Sequence, residues 1–228
     1  MKSLYNVRKY FFLISILINL LFVSVFFSRH NSKWFESGVL KRPFRENLFK
    51  SAPKKEGLIY FVGDSHTEAF ELNEYLNNPL VRNRDIWGDV SNSVLTRIDN
   101  ILGTKPSEIF LMIGVNDVLS GHTVESTAAN VNEILNKIAS EAPNAKVYLQ
   151  SVLPTDNIIN KTNEPAYSKI KQLNALYIEI AKKHHATFIN LFPSFARSNA
   201  LSKEYSADGL HLNGKGYRLW TDILKPYL

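Results

Sequence analysis

Cysteine is absent from the 228 residues of the chain. This absence excludes disulfides, zinc sites built on thiolates and a lipidated N-terminal cysteine. Histidines and carboxylates do not gather at the spacing of metal ligands, so we expect no metal and no other cofactor. Internal repeats and low-complexity tracts are also lacking, which argues against a repeat architecture.

A basic cluster of the kind that binds nucleic acid is missing from most of the chain, although the net charge is +6. Residues 1–56 hold 11 of the 27 Lys and Arg but 3 of the 21 Asp and Glu, a net charge of +8, which leaves −2 for residues 57–228. The positive charge therefore belongs to the N-terminal region, where it can meet anionic lipid headgroups. We expect no nucleic-acid partner.

One long uncharged run stands near the N-terminus. Residues 10–28 carry no charge over 19 residues, and a helix of that length measures about 28 Å, enough to cross the hydrocarbon core of a bilayer. A basic flank, residues 1–9, precedes the run. This pattern predicts a single-pass transmembrane anchor, with the N-terminus inside and the following domain extracytoplasmic.

A cleaved signal peptide is the main alternative, because basic residues precede the apolar run. The run is longer than the usual ~7–15 residues of a signal peptide and no small-x-small cleavage site follows it, so the uncleaved anchor is favoured. Residues 29–56 mix basic residues with single aromatic residues and two prolines. Their composition predicts a juxtamembrane linker with room for one short amphipathic helix.

The remaining chain predicts one α/β domain, residues 57–228. With 45% hydrophobic residues, the chain can bury one substantial core beside a membrane segment. Short apolar runs alternate with longer amphipathic stretches, which indicates a parallel sheet covered by helices on both faces. The predicted strands are 58–62, 108–114, 146–152 and 187–191, and the predicted helices are 90–102, 123–141, 167–185 and 214–224.

Three polar motifs carry the candidate chemistry. Gly63-Asp64-Ser65 follows the first predicted strand, and Gly114-Val115-Asn116-Asp117 ends the second. Ligands of parallel sheets bind beyond these carboxyl ends. Asp208-Gly209-Leu210-His211 places a carboxylate and an imidazole three residues apart, close enough for the acid to orient the ring. A serine followed by a distant aspartate and histidine is typical of nucleophilic catalysis.

Together with Asn83-Arg84-Asp85-Ile86-Trp87-Gly88-Asp89, these motifs resemble the sequence blocks of the SGNH hydrolases of the GDSL esterase family. The likeness is to thioesterase/lysophospholipase-like and platelet-activating-factor acetylhydrolase-like members, and it covers residues 57–228. It implies a flavodoxin-like three-layer α/β/α sandwich. It also implies that Ser65 is the nucleophile, His211 the general base and Asp208 the group that orients the imidazole.

The same resemblance implies an oxyanion hole formed by the backbone N–H groups of Ser65 and Gly88 and the side-chain amide of Asn116. Relatives often have a small residue where Asp85 and Trp87 stand. Trp87 is therefore expected to narrow the acyl side of the pocket or to stack on a sugar. His66 and His122 are further candidates for contact with substrate. His66 is a rival for the general base, but neighbours in sequence seldom align for proton transfer, so a role in the pocket wall is favoured. His122 follows the loop of Asn116, and plain exposure to solvent is its alternative.

The resemblance implies a serine esterase that works through an acyl-enzyme. We expect it to remove O-acetyl or other short acyl groups from an extracytoplasmic glycan, because residues 154–165 are mostly polar and suit hydroxyl-bearing substrates. A lysophospholipase, a thioesterase or an O-acyltransferase would use the same acyl-enzyme. A membrane-tethered binding domain without catalysis should have lost a triad residue or Asn116, and neither is lost. The oligomeric state stays open.

Overall fold

A parallel five-stranded sheet lies at the centre of the fold, in the order β2-β1-β3-β4-β5. The structure is a computed structural model that describes residues 15, 16, 19, 24, 42–156 and 165–228. The strands of the sheet are β1 (Ile59–Gly63), β2 (Val81–Asn83), β3 (Glu108–Met112), β4 (Lys146–Gln150) and β5 (Thr187–Ile189). This is the strand order of flavodoxin-like folds, in which ligands bind at the switch point between β1 and β3.

Helices cover both faces of the sheet. They are α2 (Ser65–Glu68), α3 (Leu72–Leu76), α4 (Ser91–Arg97), α5 (Asp99–Leu102), α6 (Val115–Leu119), α7 (Val124–Glu141), α8 (Ala166–Lys183), α9 (Phe192–Phe195) and α10 (Gly214–Leu224). A further helix, α1 (42–51), precedes β1 in the chain. A small antiparallel hairpin of β6 (Ala196–Arg197) and β7 (Ala200–Leu201) follows α9, and a 3-10 turn (Lys225–Tyr227) follows α10.

Two apolar cores lie on opposite faces of the sheet, because successive side chains of a strand point in opposite directions. Tyr60 and Val62 of β1 belong to the core beneath α4, α7 and α8. Ile59 and Phe61 belong to the core beneath α3 and α10. The prediction of an α/β fold with a parallel sheet is confirmed.

The predicted strands overlap β1, β3, β4 and β5, whereas β2 was missed. This strand has three residues at the edge of the sheet and includes Arg82 and Asn83, so it shows no apolar run. The single helix predicted over 90–102 is two helices in the structure, which meet at Ile98.

Residues Asn47–Leu228 form one compact unit, and the predicted hydrolase domain 57–228 falls within it. The predicted anchor at 10–28 lies outside the described residues except at four positions, as do the basic flank 1–9 and the linker up to residue 41. In the part of the chain that the structure describes, no helix combines the length and apolar character needed to cross a bilayer. The anchor stays a prediction.

Candidate active site

The first motif leaves β1 through a crowded turn. A Cβ at Gly63 would stand 2.1 Å from the carbonyl oxygen of Met112 in the neighbouring strand, so glycine is required there. The carboxylate of Asp64 accepts the backbone N–H of His66 at 3.0 Å and caps α2. Ser65 is therefore held at the first position of α2, just beyond the carboxyl end of β1, where it is 3% exposed.

The last motif is a loop that ends at the start of α10. Gly209 has a φ of +78°, which favours glycine, and a Cβ there would lie 2.7 Å from the Cβ of Asp156. Asn213 caps α10 by accepting two backbone N–H groups of its first turn. His211 lies between Gly209 and Asn213, and the fixed backbone at these two residues places its imidazole next to Ser65.

A chain of hydrogen bonds joins Ser65, His211 and Asp208. The Oγ of Ser65 lies 3.1 Å from Nε2 of His211, and Nδ1 of His211 lies 2.7 Å from Oδ2 of Asp208. Oδ1 of Asp208 also accepts the backbone N–H groups of Leu210 and His211 at 2.9 and 2.7 Å. The Nδ1 hydrogen of His211 thus faces a carboxylate, which leaves Nε2 to take a proton from Ser65.

The surroundings of Asp208 favour its ionised form, and its side chain is 55% exposed to solvent. Burial raises the pKa of Asp208, but the hydrogen bonds from His211 and from two backbone N–H groups outweigh this effect and lower the pKa well below its usual 3.8. The negative charge therefore persists throughout the neutral and mildly acidic range.

The two other predicted donors of the oxyanion hole, Gly88 and Asn116, are linked through Asp89. Gly88 has a φ of +77° and no atom within 4 Å of the position of a Cβ, so glycine is needed there for backbone conformation and not for space. Asn116, on α6, donates from Nδ2 to the carbonyl oxygen of Asp89 at 2.9 Å. This bond fixes the residue next to Gly88. The second amide hydrogen of Asn116 has no partner among the described residues and is available to a substrate oxygen.

Trp87 lies against the imidazole of His211. The two rings are stacked with centroids 4.6 Å apart and an angle of 28° between their planes. The carboxylate of Glu68 on α2 accepts the backbone N–H of Trp87. The indole is 48% exposed, so one face covers the imidazole and the remainder is open to solvent.

His66 and His122 are placed differently from each other. His66 is buried, and both of its ring nitrogens have protein partners. This placement does not favour the predicted substrate contact, because no ring nitrogen is left for a ligand. His122 is exposed, with Nδ1 3.5 Å from a carboxylate oxygen of Asp117.

Comparison with known proteins decides the family. A sequence model of the GDSL-like lipase/acylhydrolase family matches residues 61–219. The chain belongs to this family. Platelet-activating factor acetylhydrolase IB subunit alpha2 of Rattus norvegicus is 30% identical over 179 residues, which cover 75% of each chain.

Two solved structures share the fold of this GDSL hydrolase. A candidate platelet activating factor from Streptococcus pneumoniae superimposes with a TM-score of 0.77 at 26% identity, over 88% of this chain and 98% of that one. A GDSL-like lipase from Bacteroides thetaiotaomicron superimposes with a TM-score of 0.72 at 24% identity, over 79% of this chain and 93% of that one. The predicted family is confirmed, and with it the prediction of a carboxylic-ester hydrolase. The alternative of a binding domain without catalysis is not supported.

Sequence reasoning missed two buried polar groups that hold the loop of this GDSL hydrolase around Gly88. Arg97 is 5% exposed and donates from Nε to Asp89 at 2.8 Å and from an Nη atom to the carbonyl oxygen of Arg84 at 2.7 Å. Asp117 accepts the backbone N–H and the hydroxyl of Ser91 at 2.8 and 2.5 Å. A basic residue in an amphipathic helix is normally expected at the surface, so nothing in the sequence indicated the role of Arg97.

Proposed function

We propose that Ser65 is the nucleophile of this hydrolase, that His211 is its general base and then its general acid, and that Asp208 orients the imidazole. The observation that carries the proposal is the hydrogen-bond chain from Ser65 through His211 to Asp208. Oγ of Ser65 attacks the ester carbonyl carbon while its proton passes to Nε2 of His211, and that proton then leaves with the alcohol. Water next attacks the acyl-enzyme and gives a proton to Nε2; the bond between the acyl carbon and Oγ of Ser65 then breaks, Oγ takes the proton back from Nε2, and the acid is released.

The negative charge of the tetrahedral intermediate would be stabilised by the N–H groups of Ser65 and Gly88 and by the amide of Asn116. The left-handed backbone at Gly88 and the bond between Asn116 and Asp89 support this proposal, because they hold two donors in place before charge develops. A preorganised donor of this kind contributes about 2.7–4 kcal/mol to transition-state stabilisation.

The proposed substrate is an ester of acetate or another short acid, carried on a hydroxyl-rich molecule such as a glycan. Trp87 supports a short acyl group, since its bulk lies beside Gly88 and against His211. A cleft of about 430 Å³ adjoins the catalytic loop through Asp156, which contacts Gly209. Polar and charged side chains, among them Arg197, Ser198 and Lys203, line it together with Ala200 and Leu201. The polar groups can bind hydroxyl groups of a substrate, whereas the apolar side chains can contact a carbon chain or the face of a sugar ring.

Acetyl and propionyl esters should be hydrolysed with a higher kcat/KM than octanoyl esters of the same alcohol. An enzyme that buries a long acyl chain gains about 0.8 kcal/mol, or about fourfold in kcat/KM, with each methylene. Trp87→Ala should raise the ratio of octanoyl to acetyl activity, whereas Leu176→Ala, which truncates a half-exposed side chain on α8, should not change it. A kcat/KM that climbs steadily from acetyl to octanoyl in the parent enzyme would contradict the short-acyl proposal.

A lipid substrate is the second candidate, and the relatives named platelet-activating factor acetylhydrolases favour it at 30% identity. Strong turnover of a lysophospholipid or an acetylated ether lipid, with none of an acetylated glycan, would select this candidate. Transfer of the acyl group to a sugar hydroxyl would use the same acyl-enzyme, so the products must be analysed in both cases.

We also propose that residues 10–28 anchor the enzyme in the membrane with its catalytic domain outside the cytoplasm; the support is the length and apolar character of this run. The full-length protein should stay in the membrane fraction after washes with high salt and with carbonate, because a spanning helix resists both. A truncated protein of residues 42–228 should be soluble and equally active on a water-soluble ester. Mature protein that begins after about residue 30 and is found in the supernatant would instead identify a signal peptide.

A further inference from the structure

His66 follows the nucleophile in the sequence but joins two loops of the active site. Its Nδ1 lies 3.2 Å from Oδ1 of Asp64, and its Nε2 lies 2.8 Å from the carbonyl oxygen of Leu210. Asp64 precedes Ser65, and Leu210 precedes His211. The ring, 2% exposed, therefore links the residue before the nucleophile to the residue before the general base.

Both partners of the ring are hydrogen-bond acceptors. A backbone carbonyl only accepts, so Nε2 carries a hydrogen. Oδ1 of Asp64 accepts the backbone N–H of His66 at 3.0 Å and also lies within hydrogen-bond distance of Nδ1, a contact that is a hydrogen bond from the ring when Nδ1 carries a hydrogen as well. An imidazole with hydrogens on both nitrogens is a cation, so the two contacts of the ring favour the charged form.

The charges around His66 also favour the protonated, positively charged form of its ring. Burial alone lowers the pKa of His66, but the hydrogen bond and charge of Asp64, the carbonyl of Leu210 and the charge of Asp208 together raise it above the usual 6.5. The ring of His211 lies 5.8 Å away between centroids, and Asp208 offsets the charge that this ring acquires in catalysis. Tyr217 donates its hydroxyl to the carbonyl oxygen of His66 at 2.8 Å, and burial raises the pKa of Tyr217 so that it stays neutral.

We propose that His66 is a positioning residue whose imidazolium ties the loop of Asp208 and His211 to the start of α2 and thereby keeps His211 within reach of Ser65. The proposal rests on the catalytic roles proposed above. A neutral ring has a single N–H, so loss of the proton breaks one of the two bonds and leaves a lone pair facing an oxygen. Displacement of a catalytic group by about 1 Å can lower the rate about a hundredfold.

The consequence is a dependence of kcat on pH that does not come from the triad. As pH rises through the pKa of His66, kcat should fall, because the ring then keeps only one of its two bonds. The raised pKa also means that this proton contributes stability that is complete below about pH 6.5, the unfolded value, and is lost as pH rises through the folded pKa.

His66→Gln keeps an uncharged donor that can reach Leu210 but removes the titrating group. At pH 7 it should lower kcat for an acetyl ester by about ten- to a hundredfold with little change in KM, and the alkaline fall in kcat should disappear. The matched control is His184→Gln. His184 follows α8 and precedes β5, at the opposite edge of the sheet, so this variant should keep the parent profile. A folded His66→Gln enzyme that retains the alkaline fall, or a parent enzyme without one, would overturn the proposal.

Nitrogen-15 NMR of the Ser65→Ala protein gives a readout that needs neither activity nor a change at His66. Both ring nitrogens of His66 should carry hydrogens below its titration, which should lie above pH 6.5. His184 is an internal reference, because burial and the charge of Lys183 lower its pKa below 6.5. A His66 that loses its second hydrogen at or below pH 6.5 would overturn the proposal. Turnover that survives Ser65→Ala would instead overturn the proposed triad and leave the charge of His66 as measured.

Discussion

Replacement of Ser65 by alanine is expected to lower kcat for an acetyl ester by about 10⁴- to 10⁶-fold and to leave the domain folded. The hydroxyl is the only part of the side chain that is lost, and its Oγ lies 3.1 Å from the imidazole that would remove its proton. The methyl group that remains fills nearly the same buried space, so the melting temperature should change little. Steady-state kinetics and thermal unfolding of the purified variant measure the two effects.

The control is Ser140→Ala, which removes an exposed hydroxyl from α7 and should keep the parent kcat. A second test asks whether the losses of kcat in the single variants add up in the double variant. If Ser65 and His211 act as one unit, the double variant Ser65→Ala/His211→Ala should be about as slow as Ser65→Ala alone. A Ser65→Ala enzyme with the activity of the parent would falsify the proposed mechanism.

The sheet could be predicted from the sequence because its strands are buried on both faces. Strand β1 is an uninterrupted apolar run closed by glycine, and the apolar run of β3 continues one residue beyond the strand to Ile113 and is closed by Gly114. The edge strand β2 lacks this signal. It forms because β1 offers hydrogen-bond partners along one side, and its own sequence does not show this. Only the finished sheet shows that Val81 is a strand residue.

The positions of Ser65 and Asn116 could be predicted because both follow strands, whereas His211 was identified by its spacing from Asp208 and by the resemblance of its motif to the family. The parallel sheet then brings its carboxyl ends to one edge. The contacts of His66 and Trp87 could not be predicted in this way. Each contact joins a side chain to a loop that is distant in the sequence, and neither residue spacing nor composition predicts such a contact.

The buried ion pair between Arg97 and Asp89 holds the loop that contains Gly88. Asp89 is fully buried, its side chain accepts from Nε of Arg97 at 2.8 Å, and its carbonyl oxygen accepts from Asn116. A second Nη atom of Arg97 lies 3.3 Å from the carbonyl oxygen of Gly63, at the exit of β1. One guanidinium therefore connects the loop around Gly88 with the turn that leads to Ser65.

Arg97→Met is expected to destabilise the domain by about 3–5 kcal/mol, because it leaves the buried carboxylate of Asp89 without the guanidinium charge. In a domain of this size that corresponds to a fall in melting temperature on the order of 10 °C. We also expect a loss of kcat of about ten- to a hundredfold in the fraction that stays folded, since Gly88 and Asn116 lose a common support. Denaturant unfolding and kinetics below the melting temperature measure the two effects separately.

A second substitution separates charge from packing. Asp89→Asn in the Arg97→Met background removes the buried negative charge that has lost the guanidinium, so the double variant should regain part of the lost stability. Arg218→Met replaces an exposed arginine on α10 and should stay within about 0.5 kcal/mol of the parent. If packing of the methylene groups alone mattered, Asp89→Asn would give no recovery. If Arg97→Met matched the parent in both stability and kcat, the ion pair would have no part in holding the Gly88 loop.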